Sequence, residues 1–100
     1  MYQEGIYSGL TEEEIEQRIK SEGFTPIKFN DPPGYTYFEH THAEVKLLAF
    51  LTGSMEVKVG DQNFQCKAGD KLVIAANTPH SAVVSSNGCT FFWSEKLLEV

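Results

Sequence analysis

An all-β chain, folded as one small antiparallel barrel with a single N-terminal α-helix, is the architecture this sequence predicts. Three observations point to it. Helix signals are confined to the start of the 100 residues. After Phe24 the chain turns to short runs rich in aromatic and β-branched residues, broken by turn-forming clusters. In the second half those breaks recur about every eight to ten residues, a spacing of sandwiches and barrels and not of parallel α/β sheets.

The helix is expected to begin at Thr11. Thr11 can cap it, Glu14 can close the capping box, and Leu10 can staple onto Ile15. Ile15 and Ile19 share one face, acids crowd the first turn, Arg18 and Lys20 sit in the last, and Gly23 ends the run. A helical arm over about residues 1–23 therefore precedes a barrel over about 24–100, all in one domain of residues 1–100.

Within the barrel, Pro32-Pro33-Gly34, Gly53, Gly60-Asp61, Gly69-Asp70, Asn77-Thr78-Pro79 and Asn87-Gly88 read as breaks between strands. Met55, Val57 and Val59 alternate with Glu56 and Lys58, and Val59-Gly60-Asp61-Gln62 suits a hairpin turn. One face of that hairpin should be wet. Glu44 to Leu51 becomes nearly continuous apolar sequence, as a strand covered on both sides would.

Composition narrows the function classes. A hydrophobic fraction of 41% fills one core but not two at this length. With 14 acidic against 8 basic residues and a net charge of −6, the surface repels phosphate backbones, so no nucleic-acid partner is expected. No run approaches the roughly 20 apolar residues of a membrane helix, so no membrane partner is expected either. The start Met1-Tyr2-Gln3-Glu4 lacks a basic, apolar leader, which predicts a cytoplasmic protein. Cys66 and Cys89 are accordingly expected to be buried, reduced and not joined.

The chain's 3 histidines fall as His40-Thr41-His42 and His80. On a strand, His40 and His42 would share a face and place two imidazoles near one point. His80 follows Pro79 after the apparent strand Lys71 to Ala75, which an antiparallel barrel can bring beside the first. Neutral imidazole suits zinc, iron, nickel, copper or manganese, so the donors alone do not choose the metal.

From Gly34 to His80 the chain resembles the cupin family. Gly34, His40, His42 and Gly53 stand at the spacing of the family's first motif: glycine, five residues, His-x-His, three residues, glutamate, six residues, glycine. Gly69-Asp70, Pro79 and His80 match the second. The resemblance implies a jelly-roll barrel, a divalent metal (iron, manganese, nickel or zinc) on His40, His42 and His80, a small-molecule ligand or substrate, and a homodimer. It also implies activity like that of three-histidine dioxygenases, with a non-catalytic ligand-binding module or a metal-free isomerase or lyase as alternatives. The chain departs from the pattern at Lys46, where the family has its glutamate ligand, at Ala75 and Asn77 in place of proline and glycine, and at Val84 in place of asparagine.

Lys46 matters most. An ammonium about 5 Å from a divalent ion would be repelled by roughly 6 to 7 kcal/mol at an effective dielectric of about 20. It must lose its proton, turn away, pair with an acid such as Glu44, anchor a substrate carboxylate, or sit in a metal-free barrel. Glu44 shares strand parity with His42, so it either replaces the missing carboxylate or lies at the rim. Lys46, Glu44 and Phe50 are thus candidate pocket residues. By parity, Phe38, Leu48, Phe50, Ala82 and Val84 should face the interior, whereas Tyr35, Tyr37, Phe92 and Trp93 should cover the outside against the helix or a second subunit.

Overall fold

The computed structural model describes residues 1–96. Its elements are β1 (Tyr2–Gln3), α1 (Glu12–Ser21), β2 (Thr25–Asp31), β3 (Thr36–His40), β4 (Val45–Val59), β5 (Gln62–Lys67), β6 (Lys71–Ile74) and β7 (His80–Lys96). All strand pairs are antiparallel. Strands β4 and β7 pair along nearly their whole lengths, and each serves two sheets. The start of β4 and the end of β7 lie between β6 and β2, with β1 at the edge beyond β6. The other halves lie between β5 and β3.

Two expected breaks are instead bends inside these long strands. Gly53 pairs with Cys89 where the register shifts, and both Gly53 and Gly88 have a φ of 73°. A Cβ on Gly53 would lie 2.0 Å from the Gly88 carbonyl oxygen. Only glycine allows both the left-handed backbone and so close an approach. The ribbon folds over at this corner, and its two halves become the two faces of a sandwich.

Alternation along β4 feeds two cores. Leu48 and Phe50 point between the sheets, where they join Met55, Val57, Leu72, Ile74, Val84 and Phe91. Leu47 and Ala49 point the other way, onto Ile15 and Ile19 of α1 and onto Phe92. The doubly covered strand expected from the sequence is therefore found. Phe50 and Phe91 are the largest fully buried side chains, and burying each contributes about 1.5–3 kcal/mol. Glu56 and Lys58 face water on the hairpin, as their alternation implies. Cys66 and Cys89 are buried and free, and burial pushes both thiols up to about 12.

The helix begins as read. The Glu14 N–H donates to the Thr11 hydroxyl at 3.1 Å, and the Thr11 N–H donates to the Glu14 carboxylate at 2.9 Å. The arm before it is not helical. Residues Tyr2–Gln3 add a short strand to β6, and Asp70 anchors them. The fully buried Asp70 carboxylate accepts from the Tyr2 hydroxyl at 2.5 Å, the Gly5 N–H at 2.8 Å and the Lys67 N–H at 3.0 Å. Burial would raise its pKa, but these donors outweigh burial and hold it below the usual range. The Gly69-Asp70 pair is thus a corner that ties the N-terminus to the sheet. No helix among the described residues is long and apolar enough to cross a membrane.

Two glycine substitutions separate the corner's close approach from simple turn preference. Gly60 has a φ of 58° but open space around it, so Gly60→Ala should cost about 1–2 kcal/mol of backbone strain. Gly53→Ala adds a steric clash and should cost on the order of 3 kcal/mol or more. Urea unfolding of both variants checks this, and equal losses would contradict the bend.

Candidate metal centre

The structure brings the three histidines together, by a route that strand alternation alone did not describe. His80 opens β7 and is the cross-strand partner of His40, the last residue of β3. Tyr37 pairs with Ala82, so three steps along β3 match two along β7. The extra residue is a bulge and reverses the parity of the strand. Tyr37 and His40 consequently border the same interior cavity. Phe38, expected inside, is turned out and is 83% exposed. Tyr37, expected outside, is turned in, and its hydroxyl donates to Asp31 at 2.6 Å.

His42 lies beyond the strand, on the turn between β3 and β4. Its position comes from the opposite loop, where the Asn77 N–H donates to the His42 carbonyl at 2.6 Å. Asn77 has a φ of 59°. That left-handed conformation explains why the family pattern has glycine there, and asparagine is the residue that best tolerates it otherwise.

The three rings form a closed cluster. Ring centroids are 4.4 Å apart for His40 and His80, 4.6 Å for His40 and His42, and 5.1 Å for His42 and His80. One nitrogen from each lies within 4.8 Å of the others. Nδ1 of His40 is 2.5 Å from the Phe38 carbonyl oxygen and Nδ1 of His80 is 2.9 Å from that of Thr78. A carbonyl only accepts, so each Nδ1 carries the proton and each Nε2 keeps its lone pair. The Nε2 atoms of His42 and His80 are buried without a partner. Among the described residues, the other buried side-chain atoms without a partner are the lone hydroxyls of Tyr7 and Ser94. Leaving a buried polar nitrogen unsatisfied costs roughly 1–3 kcal/mol, so two of them in one cluster favour a partner from outside the chain.

Charge conditions in the cluster favour neutral imidazole. Burial lowers the His42 pKa first, and the Lys46 charge and the neighbouring histidines lower it further. Burial also lowers His80, against the raising effect of its Thr78 hydrogen bond. Lone pairs are therefore available at neutral pH, and oriented, neutral imidazoles are the donor set that divalent zinc, iron, nickel or manganese accepts. The residues present fit such an ion.

Lys46 takes the ion-paired course among those open to it. It is 3% exposed, and its ammonium donates to Glu44 at 3.1 Å and to Glu95. It also lies 5.0 Å from the centroid of the Trp93 ring, which meets His42 edge to face at 5.5 Å. The hydrogen bond from Lys46 holds the Glu44 carboxyl below its ordinary range. Glu44 is thus engaged with the lysine at the rim, outside the histidine cluster. Trp93, expected outside, faces inward with Phe91, and Phe92 between them meets the helix as expected. Glu95 was not singled out from sequence, because its role depends on the Lys46–Glu95 register across 49 residues.

Space for a ligand lies to one side. A cleft of about 450 Å³ opens over His40 and His42, walled by Phe29, Tyr35, Tyr37 and Trp93 with Asp31 at its edge. Beneath the histidines the interior narrows to about 20 Å³, lined by Leu48, Met55, Val57 and Ala82 among others. Phe50 borders neither space and is a core residue packed on Phe91.

Comparison with known proteins agrees with this arrangement. The model of the AraC-like ligand binding domain family matches residues 27–95. Acireductone dioxygenase 1 of Pectobacterium atrosepticum is 50% identical over 46 residues, covering 42% of this chain and 27% of that protein. The chain thus spans about a quarter of the curated relative it matches. The Cnp3 cupin domain of Schizosaccharomyces pombe superposes with a TM-score of 0.69 at 14% identity, over 75% of this chain and 56% of that one. An RmlC-like cupin from Shewanella frigidimarina superposes with a TM-score of 0.68 at 18% identity, over 76% and 68%. With the family model covering both sheets and all three histidines, the chain belongs to the AraC-like ligand binding domain family, and its fold is that of small cupins.

Proposed function

We propose that this protein is a divalent-metal cupin that holds its ion on His40, His42 and His80 and oxidises a small organic molecule in dioxygenase fashion. The observation that carries the reading is the pair of buried, unpartnered Nε2 atoms within a three-imidazole cluster. A metal held by three neutral donors would supply a Lewis-acidic or redox centre with positions open to an outside ligand. The chain's own residues would do the rest. Phe38 and Thr78 carbonyls orient two of the rings, the Asn77 N–H fixes the loop of His42, and Trp93 and Tyr37 wall the approach. The likeness to an acireductone dioxygenase supports oxidative chemistry.

A second reading, ligand binding without turnover, is favoured by the family's description as a ligand binding domain. The metal-free isomerase or lyase reading has no such support. Among the described residues no histidine pairs with an acid, and the nearby carboxylates of Glu44 and Glu95 are occupied by Lys46. The expected homodimer belongs to the same proposal. Ile27 and Phe29 on β2, Phe38 on β3 and Val83 on β7 leave apolar surface exposed that a second copy would cover. Light scattering should then give twice the chain mass, and a monomer at working concentration would contradict it.

Calorimetric titration of chelator-stripped protein with Zn²⁺, Ni²⁺ or Fe²⁺ should show one site per chain. His42→Ala and His80→Ala should each weaken it by more than the roughly 10–100-fold that loss of a merely supporting group costs. Unchanged affinity in both variants would contradict the site. Oxygen uptake by the iron-loaded protein with small carbonyl compounds then separates dioxygenase from binding module.

Acid should weaken the metal-free protein. His42 and His80 are below the ordinary 6.5 when folded and return to it when unfolded, so the unfolded chain binds more protons once the pH falls below about 6.5. Stability against urea in chelator should fall between about pH 7 and 5.5, and the slope should flatten in His42→Ala. A flat or rising profile in the parent protein would contradict the buried neutral imidazoles.

A further inference from the structure

The buried Lys46 bridges the histidine cluster and two acids, Glu44 and Glu95. By alternation it faces the interior with Leu48 and Phe50, and its positive charge acts on both His42 and His80. Glu44 stands two residues from His42 in sequence, and Glu95 stands opposite Lys46 in register. Carboxylate oxygens at the edge of an imidazole cluster are ready donors to a divalent ion. Lys46 is hydrogen-bonded to both of them.

We propose that Lys46 is a ligand-selecting residue. By holding Glu44 and Glu95 it keeps the protein's donors to the metal neutral, so the open positions take a small molecule with an anionic oxygen donor, a carboxylate or enolate, in preference to a neutral one. This rests on the three-histidine reading. The physical reason is charge balance in a partly closed space. A divalent ion on neutral imidazoles keeps its whole charge, and each anionic donor from the protein would reduce its attraction for an anion from outside. The ammonium, 5.0 Å from the ring centroid of the Trp93 that walls the cleft, adds a positive charge nearby. The cleft over His40 and His42 gives such a ligand access between aromatic walls, and the one carboxylate in its lining, Asp31, is engaged by the Tyr37 hydroxyl.

The test uses the Co²⁺-loaded protein and compares acetate with acetamide, which has nearly the same shape and no charge. Binding of each is read from the visible absorption of the cobalt. The parent protein should prefer acetate by at least tenfold. Lys46→Gln releases Glu44 toward the metal, so Co²⁺ should bind more tightly and the preference for acetate should fall at least tenfold. Glu44→Gln with Glu95→Gln leaves the lysine in place without its acids, and the preference for acetate should increase while Co²⁺ binds less tightly. This second arm stays informative if Lys46→Gln does not fold. Co²⁺ binding with the same acetate preference in all variants overturns the inference alone. Failure of the parent protein to bind Co²⁺ overturns the three-histidine reading and the inference with it.

Discussion

The bend of the β4–β7 ribbon at Gly53 and Gly88 is the constraint on which the rest of the structure depends. A straight antiparallel pair of this length would hold His80 and Lys46 at opposite ends, since His80 pairs with Val59 and Lys46 with Glu95. Folding the ribbon over brings those ends face to face, so that Trp93 and His80 border one cavity. The same fold makes the interior in which Phe50 and Phe91 are sealed. Core and site are two consequences of one backbone approach that no side chain at Gly53 would permit.

What the bend brings together is a set of charges that would not otherwise coexist. Three clustered imidazoles with one nitrogen each near a common point invite a cation, while a buried ammonium nearby opposes one. The conflict is resolved locally. Lys46 is paired with two carboxylates and placed over an indole face, so much of its charge is balanced before it reaches the histidines. Burial is the main cause that lowers the pKa of His42 and His80, and the remaining charge of Lys46 adds to it. The arrangement favours neutral imidazole, and neutral imidazole is the form that binds metal.

Much of this was legible in the residues. The capping box at Thr11, the doubly covered strand from Leu47 to Phe50 and the hairpin at Gly60 follow from local chemistry and appear as expected. The three histidines were identifiable because two motifs with fixed spacing contain every histidine in the chain. What could not be read depends on backbone geometry between distant segments. A single-residue bulge after Tyr37 reverses parity, so Phe38 and Tyr37 exchanged places relative to strict alternation. Gly53 and Gly88 carry the same turn signature as Gly60, and only the closeness of two backbones distinguishes a corner within a strand from a loop between strands. Glu95 became a partner of Lys46 through a register that no local pattern encodes.

Anomalous-difference crystallography of the Co²⁺-loaded protein shows whether three imidazoles and no protein carboxylate hold the ion. One strong peak bonded to a single nitrogen of each of His40, His42 and His80 at about 2.0–2.2 Å is expected, with Lys46 still between Glu44 and Glu95. A peak that includes the Glu44 carboxylate, or one that forms away from the three histidines, would contradict three-histidine binding.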